Sequence, residues 1–407
     1  MMIGIEKIGL YAGRLRLDIG DLARARGMDP DYVAGEVMCH TRTVIPPFED
    51  AVTLAVNAAR RVVGPEDAAD IGLVVVGTES AVDHGKPLST WVHRHAGLPA
   101  RCRSFDVKHA CYGGTAALKT AAFWVASGAS RGKKALVVSA DHSRSFLGAP
   151  WEPIGGGCAV AMIVSDSPDV LELELGAAGH WTHEISDTFR PTARDEVIHD
   201  QASIFSYLDA LDGAFEHLGE VTGDTDYRAR YRKHIYHAPF PGMARRAHRS
   251  LLEQNTDLDP EQIQRDYESK VAQSLTLAKQ IGSSYGASNF VCLLGLLGAP
   301  DDLSAGDRIS MFAYGSGCQG EMYEAIVGPR AVESARALRA EEALRRRVPL
   351  TVEQYERNER AREARIEAPS FRPLRDGLED VYARAYEGEG LLILESVEQH
   401  RRTYTWS

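Results

Sequence analysis

The sequence predicts a mixed α/β protein, and three observations carry that expectation. Short runs rich in Val, Ile and Leu recur along the chain, stretches of good helix formers with helical apolar spacing lie between them, and the composition is that of a globular protein. With 407 residues, 44% hydrophobic and 25% charged, the chain must bury a large core. The length allows two to four units or one two-lobed body.

Four apolar runs read as strands. Residues 71–76, 135–139, 159–164 and 308–314 are near-continuous in apolar character, which is the pattern of strands covered on both faces. Helices are expected over 50–63, 115–126, 201–218, 244–252 and 267–280, judged from apolar spacing and helix propensity. This alternation implies a parallel sheet with crossover helices. Residues 112–126 are apolar or small nearly all round, so that helix is expected between layers of the fold. A strand-plus-helix unit of the first 165 residues recurs in outline around 236–320, which points to a duplicated core. From 330 to 365 the composition shifts to Arg, Glu and Ala, read as a solvated helix pair laced by charge pairs.

Charge and cysteine usage exclude several classes. Lys+Arg 46 against Asp+Glu 57 leaves a net charge of -11, which argues against a general nucleic-acid or anionic-membrane surface. The six cysteines, at 39, 102, 111, 158, 292 and 318, form neither Cys-x-x-Cys nor a Cys/His zinc pattern, so neither disulfides nor a metal site is expected. The first residues lack a signal segment, and the longest apolar run, 290–299, is too short to span a membrane. A cytoplasmic protein with reduced thiols is expected.

Three residues carry candidate chemistry. Cys111 stands where an extended segment meets the start of the 115–126 helix, a position whose backbone amides and dipole favour a thiolate. Gly113 and Gly114 allow close approach of a substrate there. Glu79 ends the 71–76 run, at the carboxyl end of a strand where α/β proteins place their sites, and poor solvation there makes a carboxylate a useful acid or base. His237 follows another short apolar run and precedes a Pro/Gly turn, so it can face a cleft and polarise a carbonyl. Taken singly, each has an inert alternative: a buried thiol, a capping or paired carboxylate, a hydrogen-bonded core histidine. Glycine clusters at 155–157 and 315–317 lack phosphate-loop spacing and read as turns lining a cleft.

In combination these pieces resemble a known family. Gly77-Thr-Glu-Ser80, Lys108-His-Ala-Cys-Tyr-Gly-Gly-Thr-Ala116, Tyr236-His-Ala-Pro-Phe240 and Tyr314-Gly-Ser-Gly317, in that order, are similar to 3-hydroxy-3-methylglutaryl-CoA synthases over nearly the whole chain. The resemblance implies a thiolase-like five-layered αβαβα body built from two similar halves, 1–170 with Glu79 and Cys111 and 171–407 with His237, and a homodimer. It implies Glu79, Cys111 and His237 as catalytic residues, and Gly315, Ser316, Ser283 and Tyr285 around the oxyanion and acceptor. No permanently bound cofactor or metal is implied; substrates arrive on the phosphopantetheine of an acyl carrier protein (ACP) or of CoA.

Within that family the chain resembles the branch that installs β-branches in polyketide assembly. The residues carrying this are Asp83-His-Gly-Lys-Pro-Leu-Ser-Thr90, the segment from Trp181 to Arg194, and Phe205-Ser-Tyr-Leu-Asp-Ala210. Mevalonate-type synthases carry a lysine after the Pro-Phe of the histidine motif, associated with holding CoA; here that position is Gly242. The family's usual asparagine before a Tyr-x-Gly-Ser stretch is replaced by Ser283. A basic island, Arg228, Arg230, Arg232, Lys233, Arg245, Arg246 and Arg249, flanks His237 with no Asp or Glu between 228 and 249, and such a rim would steer acidic donor and acceptor ACPs. The expected reaction is therefore condensation of an acetyl-derived enolate from acetyl-ACP with the β-ketone of an ACP-bound intermediate. The alternative is the mevalonate-pathway reaction of acetyl-CoA with acetoacetyl-CoA.

Overall fold

The computed structural model describes residues 2–144, 146–224, 226–299, 303–373 and 377–407. Nine of its strands are β1 (Gly4–Tyr11), β2 (Ile71–Gly77), β3 (Arg103–Val107), β4 (Lys134–His142), β5 (Gly157–Ser165), β6 (Leu171–Thr182), β7 (Lys233–Tyr236), β8 (Arg308–Gly315) and β9 (Gln319–Val327). They form one sheet in the order β7-β8-β9-β6-β1-β5-β4-β2-β3. Two groups are visible within it. Among the described residues, the five strands from the first 165 residues pair with the other four only where Gly4 and Ile5 meet Glu172 and Leu171. A Cβ on Gly4 would stand 1.9 Å from the Leu171 carbonyl oxygen, so glycine permits this seam.

The four expected strands are present, and each runs one to four residues longer than its apolar run. Pairing is mixed where the sequence suggested a parallel sheet. Within this sheet, among the described residues, only β2 with β3, β2 with β4, and β7 with β8 are parallel; β5 runs antiparallel to both β4 and β1, and β9 antiparallel to β8 and β6. Antiparallel neighbours need only a loop between them, so no crossover helix marks them in the sequence.

Alternate residues of the first group point into different cores. Leu73, Val75, Val137, Val160 and Met162 face a large core that also contains the second group of strands, whereas Val74, Val76, Val138, Ala161 and Ile163 face a smaller outer core. Helix α1 (Ala51–Ala59) covers the outer face, started by a capping box between Asp50 and Thr53. Helix α2 (Gly113–Ala126) lies on the inner face as expected. Its one buried charge, Lys119, meets Glu321 of β9 at 3.1 Å and stands over the Tyr323 ring. On the other face of β9, a Cβ on Gly320 would contact Ala210 of α3 (Asp200–Thr222). With α4 (Pro241–Asn255) beside α3 and α5 (Ser288–Gly298) sharing the inner core with α2, the layers run helix, sheet, helix, sheet, helix. This is the thiolase-like body.

Two expectations shift. The helix read over 267–280 begins earlier, at Pro260, capped by Asp259 with Gln262, and ends at Lys270. After it, the Ser274 hydroxyl donates to the Val271 carbonyl, a local bond that competes with helix continuation, and only short turns follow. The charged stretch is not a simple solvated pair. It contains helices Ala331–Ala337, Ala340–Arg345 and α6 (Val352–Glu363) around a short strand, Val348–Leu350, which pairs with Leu15–Leu17 of the first half. Its exposed pairs, such as Arg360 with Glu356, are those expected, but Tyr355, Asn358 and Glu359 are buried. The C-terminal strand at Leu392 likewise bonds Asn57 of α1, so residues beyond 347 close on the first half of the chain.

Candidate active site

Three chain turns at strand and helix ends converge. Glu79 follows β2, whose last residue, Gly77, lies so close to α2 that a Cβ would stand 2.3 Å from the Gly113 carbonyl oxygen. The buried carboxylate of Asp141, in β4, accepts hydrogen bonds from the Thr78 hydroxyl and from the amides of Glu79 and Ser80 at 2.9–3.1 Å. That carboxylate holds the Glu79 turn. Cys111 occupies a tight turn in which Ala110 has φ 40°, and the Tyr112 amide donates to the His109 carbonyl. The start of α2 is then pressed against the turn 285–287, since a Cβ on Gly114 would stand 2.2 Å from the Gly286 carbonyl oxygen. His237 follows β7 and is fixed on three sides: its amide donates to Phe312, its carbonyl accepts from the Tyr207 hydroxyl, and Nδ1 lies 2.6 Å from Ser288 Oγ.

The geometry brings the expected residues together. Cys111 Sγ lies 3.8 Å from Glu79 Oε2. Cys111, His237, Ser283, Tyr285 and Ser316 line one cavity of about 290 Å³, with Glu79 behind Cys111. Apolar side chains line the same cavity, among them Phe146, Trp151, Ile154, Phe240 and Met243. Gly315 packs against the Cys111 turn, where a Cβ would stand 2.6 Å from the Tyr112 nitrogen. Among the described residues no cluster of His, Cys, Asp and Glu is arranged to hold a metal ion, and no helix is long and apolar enough to cross a membrane.

Sequence reasoning missed the ion-pair system around Glu79. Arg190 Nε stands 3.1 Å from Glu79 Oε1, and Arg190 Nη2 stands 3.0 Å from Glu196 Oε2. The same guanidinium donates to Ser80 Oγ at 3.0 Å and lies over the ring of Tyr285, whose hydroxyl donates to Glu196. No spacing rule links positions 79, 190 and 196, so only the folded chain reveals the contact.

Electrostatics corrects one expectation. Cys111 is not a preformed thiolate: burial first, then the charges of Glu79 and Asp141, push its thiol well above the ordinary range. Helix α2 itself begins at Gly113, two residues beyond Cys111. Burial also raises Glu79 well above the usual carboxylate range, Arg190 opposes that shift, and Asp141 and Glu196 add to it. Burial lowers His237 to about 3, so its imidazole is neutral at physiological pH.

The basic island does not form one free rim. Arg228 pairs with Asp266, Arg230 with Glu324 and Asp224, and the buried Lys233 donates to the Ser269 carbonyl. Arg228, Arg230, Arg232 and Lys233 also precede β7 or start it, whereas His237 follows its far end, about 13 Å away at 3.3 Å per residue. Asp266 and Glu324 come from distant sequence, and Asp224 and Glu253 lie just outside 228–249, which is why the run looked unopposed. Of the island, Arg246 lines the cavity, Arg245 reaches Glu36, which also lines it, and Arg249 pairs with Glu253 on the surface.

Comparison with known proteins agrees in both halves. Residues 2–169 match the family described as hydroxymethylglutaryl-coenzyme A synthase N terminal, and 250–407 match its C-terminal counterpart. The chain is 34% identical over 366 residues to the polyketide biosynthesis 3-hydroxy-3-methylglutaryl-ACP synthase PksG of Bacillus subtilis, covering 87% of each chain. It is 33% identical over 324 residues to the hydroxymethylglutaryl-CoA synthase of Enterococcus faecalis, covering 79% of this chain and 82% of that one. The crystal structure of the curacin biosynthetic pathway HMG synthase in complex with acetyl donor-ACP superposes with a TM-score of 0.94 at 31% identity, covering all of both chains.

Proposed function

The chain belongs to the hydroxymethylglutaryl-coenzyme A synthase family of condensing acyltransferases, and from that premise we propose that it joins an acetyl unit from acetyl-ACP to the β-ketone of an ACP-bound polyketide intermediate. The observation that carries the carrier-protein assignment is at Gly242. A Cβ there would fall 1.7 Å from the backbone carbonyl oxygen of Glu36. The lysine by which CoA-using members hold their substrate therefore has no room at this position. The likeness to an ACP synthase and to a synthase crystallised with its acetyl donor-ACP supports the same choice.

In the first step the Cys111 sulfur attacks the acetyl thioester as its proton passes to the adjacent Glu79 carboxylate, and Glu79 returns that proton to the departing phosphopantetheine sulfur, which leaves as the thiol. In the second, Glu79 takes a proton from the methyl group of acetyl-S-Cys111. The C–H electron pair forms the new carbon–carbon bond to the acceptor's β-carbonyl carbon, and the resulting alkoxide takes the proton that Glu79 has just accepted. The neutral His237, with Nδ1 engaged by Ser288, polarises that carbonyl through Nε2. Ser283 and Tyr285 position the acceptor beside it. Backbone N–H groups at the Cys111 turn and at Gly315 and Ser316 meet the thioester oxyanion, each such donor being worth about 3–4 kcal/mol. In the last step water adds to the thioester carbonyl, the C–S bond breaks, and the thiol of Cys111 regains its proton as a carboxylate product leaves.

Carrier docking falls to Arg245, Arg246 and Arg249 of α4, of which Arg246 lines the cavity. A cytoplasmic homodimer completes this reading, with the edge strand β3, which pairs only with β2 among the described residues, as its meeting line. Mass spectrometry of the acceptor carrier after incubation with acetyl-ACP and enzyme tests the assignment. The acceptor should gain the elements of acetic acid; an unchanged acceptor mass contradicts it.

A further inference from the structure

Arg190 and Glu196 face each other across a small hairpin. Thr188–Phe189 pairs antiparallel with Val197–Ile198, Phe189 opposite Val197, so the next position in the register joins 190 to 196. The base of the hairpin is tied down by the buried Asp187, which accepts from the Tyr314 hydroxyl at 2.8 Å and from the Gly317 amide at 3.0 Å. The hairpin thus belongs to the second half of the chain while its tip reaches Glu79 in the first.

There the guanidinium is shared. It stands 3.1 Å from Glu79 Oε1 and 3.0 Å from Glu196 Oε2, and it also donates to Ser80 Oγ and to the carbonyls of Glu79 and His142. Side-chain exposure is 9% for Arg190, 11% for Glu79 and 2% for Glu196, so little solvent screens these contacts. The contact with Glu79 is an ion pair in which Nε makes no hydrogen bond among the described residues; it engages Oε1 and leaves Oε2 as the oxygen turned to Cys111, at 3.8 Å. An arginine facing Glu79 alone would favour a permanent carboxylate of low basicity. Glu196 draws part of that charge away.

We propose that Arg190, opposed by Glu196, is a positioning residue that turns Oε2 of Glu79 toward acetylated Cys111 and sets that carboxyl to receive the methyl proton. The proposal rests on the reading of Glu79 as the condensation base. The groups that face Glu79 are Arg190 and Glu196 from the hairpin, Asp141 from β4, Cys111 from its turn and Tyr285 from the 285–287 turn. Of these, removal of Arg190 and removal of Glu196 act with opposite sign.

The experiment loads each variant with acetyl from acetyl-ACP, verifies loading by intact mass, then measures single-turnover condensation against pH. In Arg190→Gln the carboxylate loses its cation, so the acidic limb should move up by about one pH unit or more, with about a tenfold lower rate on that limb. Arg190→Lys, which keeps the charge, should hold the limb near its wild-type position. Glu196→Gln should move it down, because Arg190 then serves Glu79 alone. A limb that stays in place in both Glu196→Gln and Arg190→Gln overturns the proposal, and if Arg190→Gln does not fold, an unmoved limb in Glu196→Gln does so by itself. Glu79→Gln that condenses at the wild-type rate overturns the underlying reading of Glu79 instead, which separates the two failures.

Discussion

Cys111 Sγ lies 3.8 Å from Glu79 Oε2, and the charge of that carboxylate adds to burial in holding the thiol protonated. Removing the charge in Glu79→Gln should therefore lower the pH at which Cys111 becomes a thiolate, since a neighbouring anion disfavours a second one. Alkylation of Cys111 by iodoacetamide across pH reads this directly. A profile unmoved or shifted upward in the variant removes Glu79 as the controlling charge.

The same variant separates the two halves of the reaction. Glu79→Gln should still accept acetyl, slowly, yet form the carbon–carbon bond about 10²–10⁴-fold more slowly than wild type, the usual contribution of a general base. Cys111→Ala should take no acetyl at all. Labelled acetyl recovered covalently on Cys111→Ala would remove Cys111 as the nucleophile.

His237 gives a flat prediction. Its imidazole titrates at about 3 because burial disfavours the cation, so it stays neutral from pH 5 to 8 and contributes no limb to the condensation profile there. His237→Ala should raise the KM for acceptor and lower kcat without moving the wild-type limb. Normal condensation at saturating acceptor would exclude its polarising role.

Between the layers, Lys119 and Glu321 form a pair with side-chain exposure of only 7% and 3%. Lys119→Met leaves Glu321 without its buried cation and should cost about 3–5 kcal/mol of stability, much of it recovered when Glu321→Gln is added. Urea unfolding of the single and double variants checks this. A loss under about 1 kcal/mol in the single variant would show that Glu321 does not depend on Lys119.

Most of the fold was legible because the central strands are covered on both faces and so read as continuous apolar runs. The helix carrying Thr115 and Ala126 stood out for the same reason. Strands with half-solvated or polar faces, such as β3 and β6, left no such trace, and the antiparallel neighbours had no crossover helix to announce them. Cys111, Glu79 and His237, which the structure gathers in one place, stood out because each lies beside a regular element at a glycine- or proline-marked turn. Arg190, Glu196 and Asp141 were not, since their roles depend on a hairpin register and on contacts across 50 to more than 100 residues. The basic island misled in the opposite way: its counter-charges, Asp266 and Glu324 among them, lie outside the window in which it looked unopposed.

The choice of carrier over coenzyme turns on whether the space beside Glu36 closes the CoA route. Intact-mass measurement of the enzyme after brief exposure to equal concentrations of acetyl-ACP and acetyl-CoA, in separate reactions, tests it most directly. Acetyl-ACP should load Cys111 rapidly while acetyl-CoA leaves the protein mass unchanged over the same time. Faster loading from acetyl-CoA would contradict the account and return the chain to the mevalonate-type reaction.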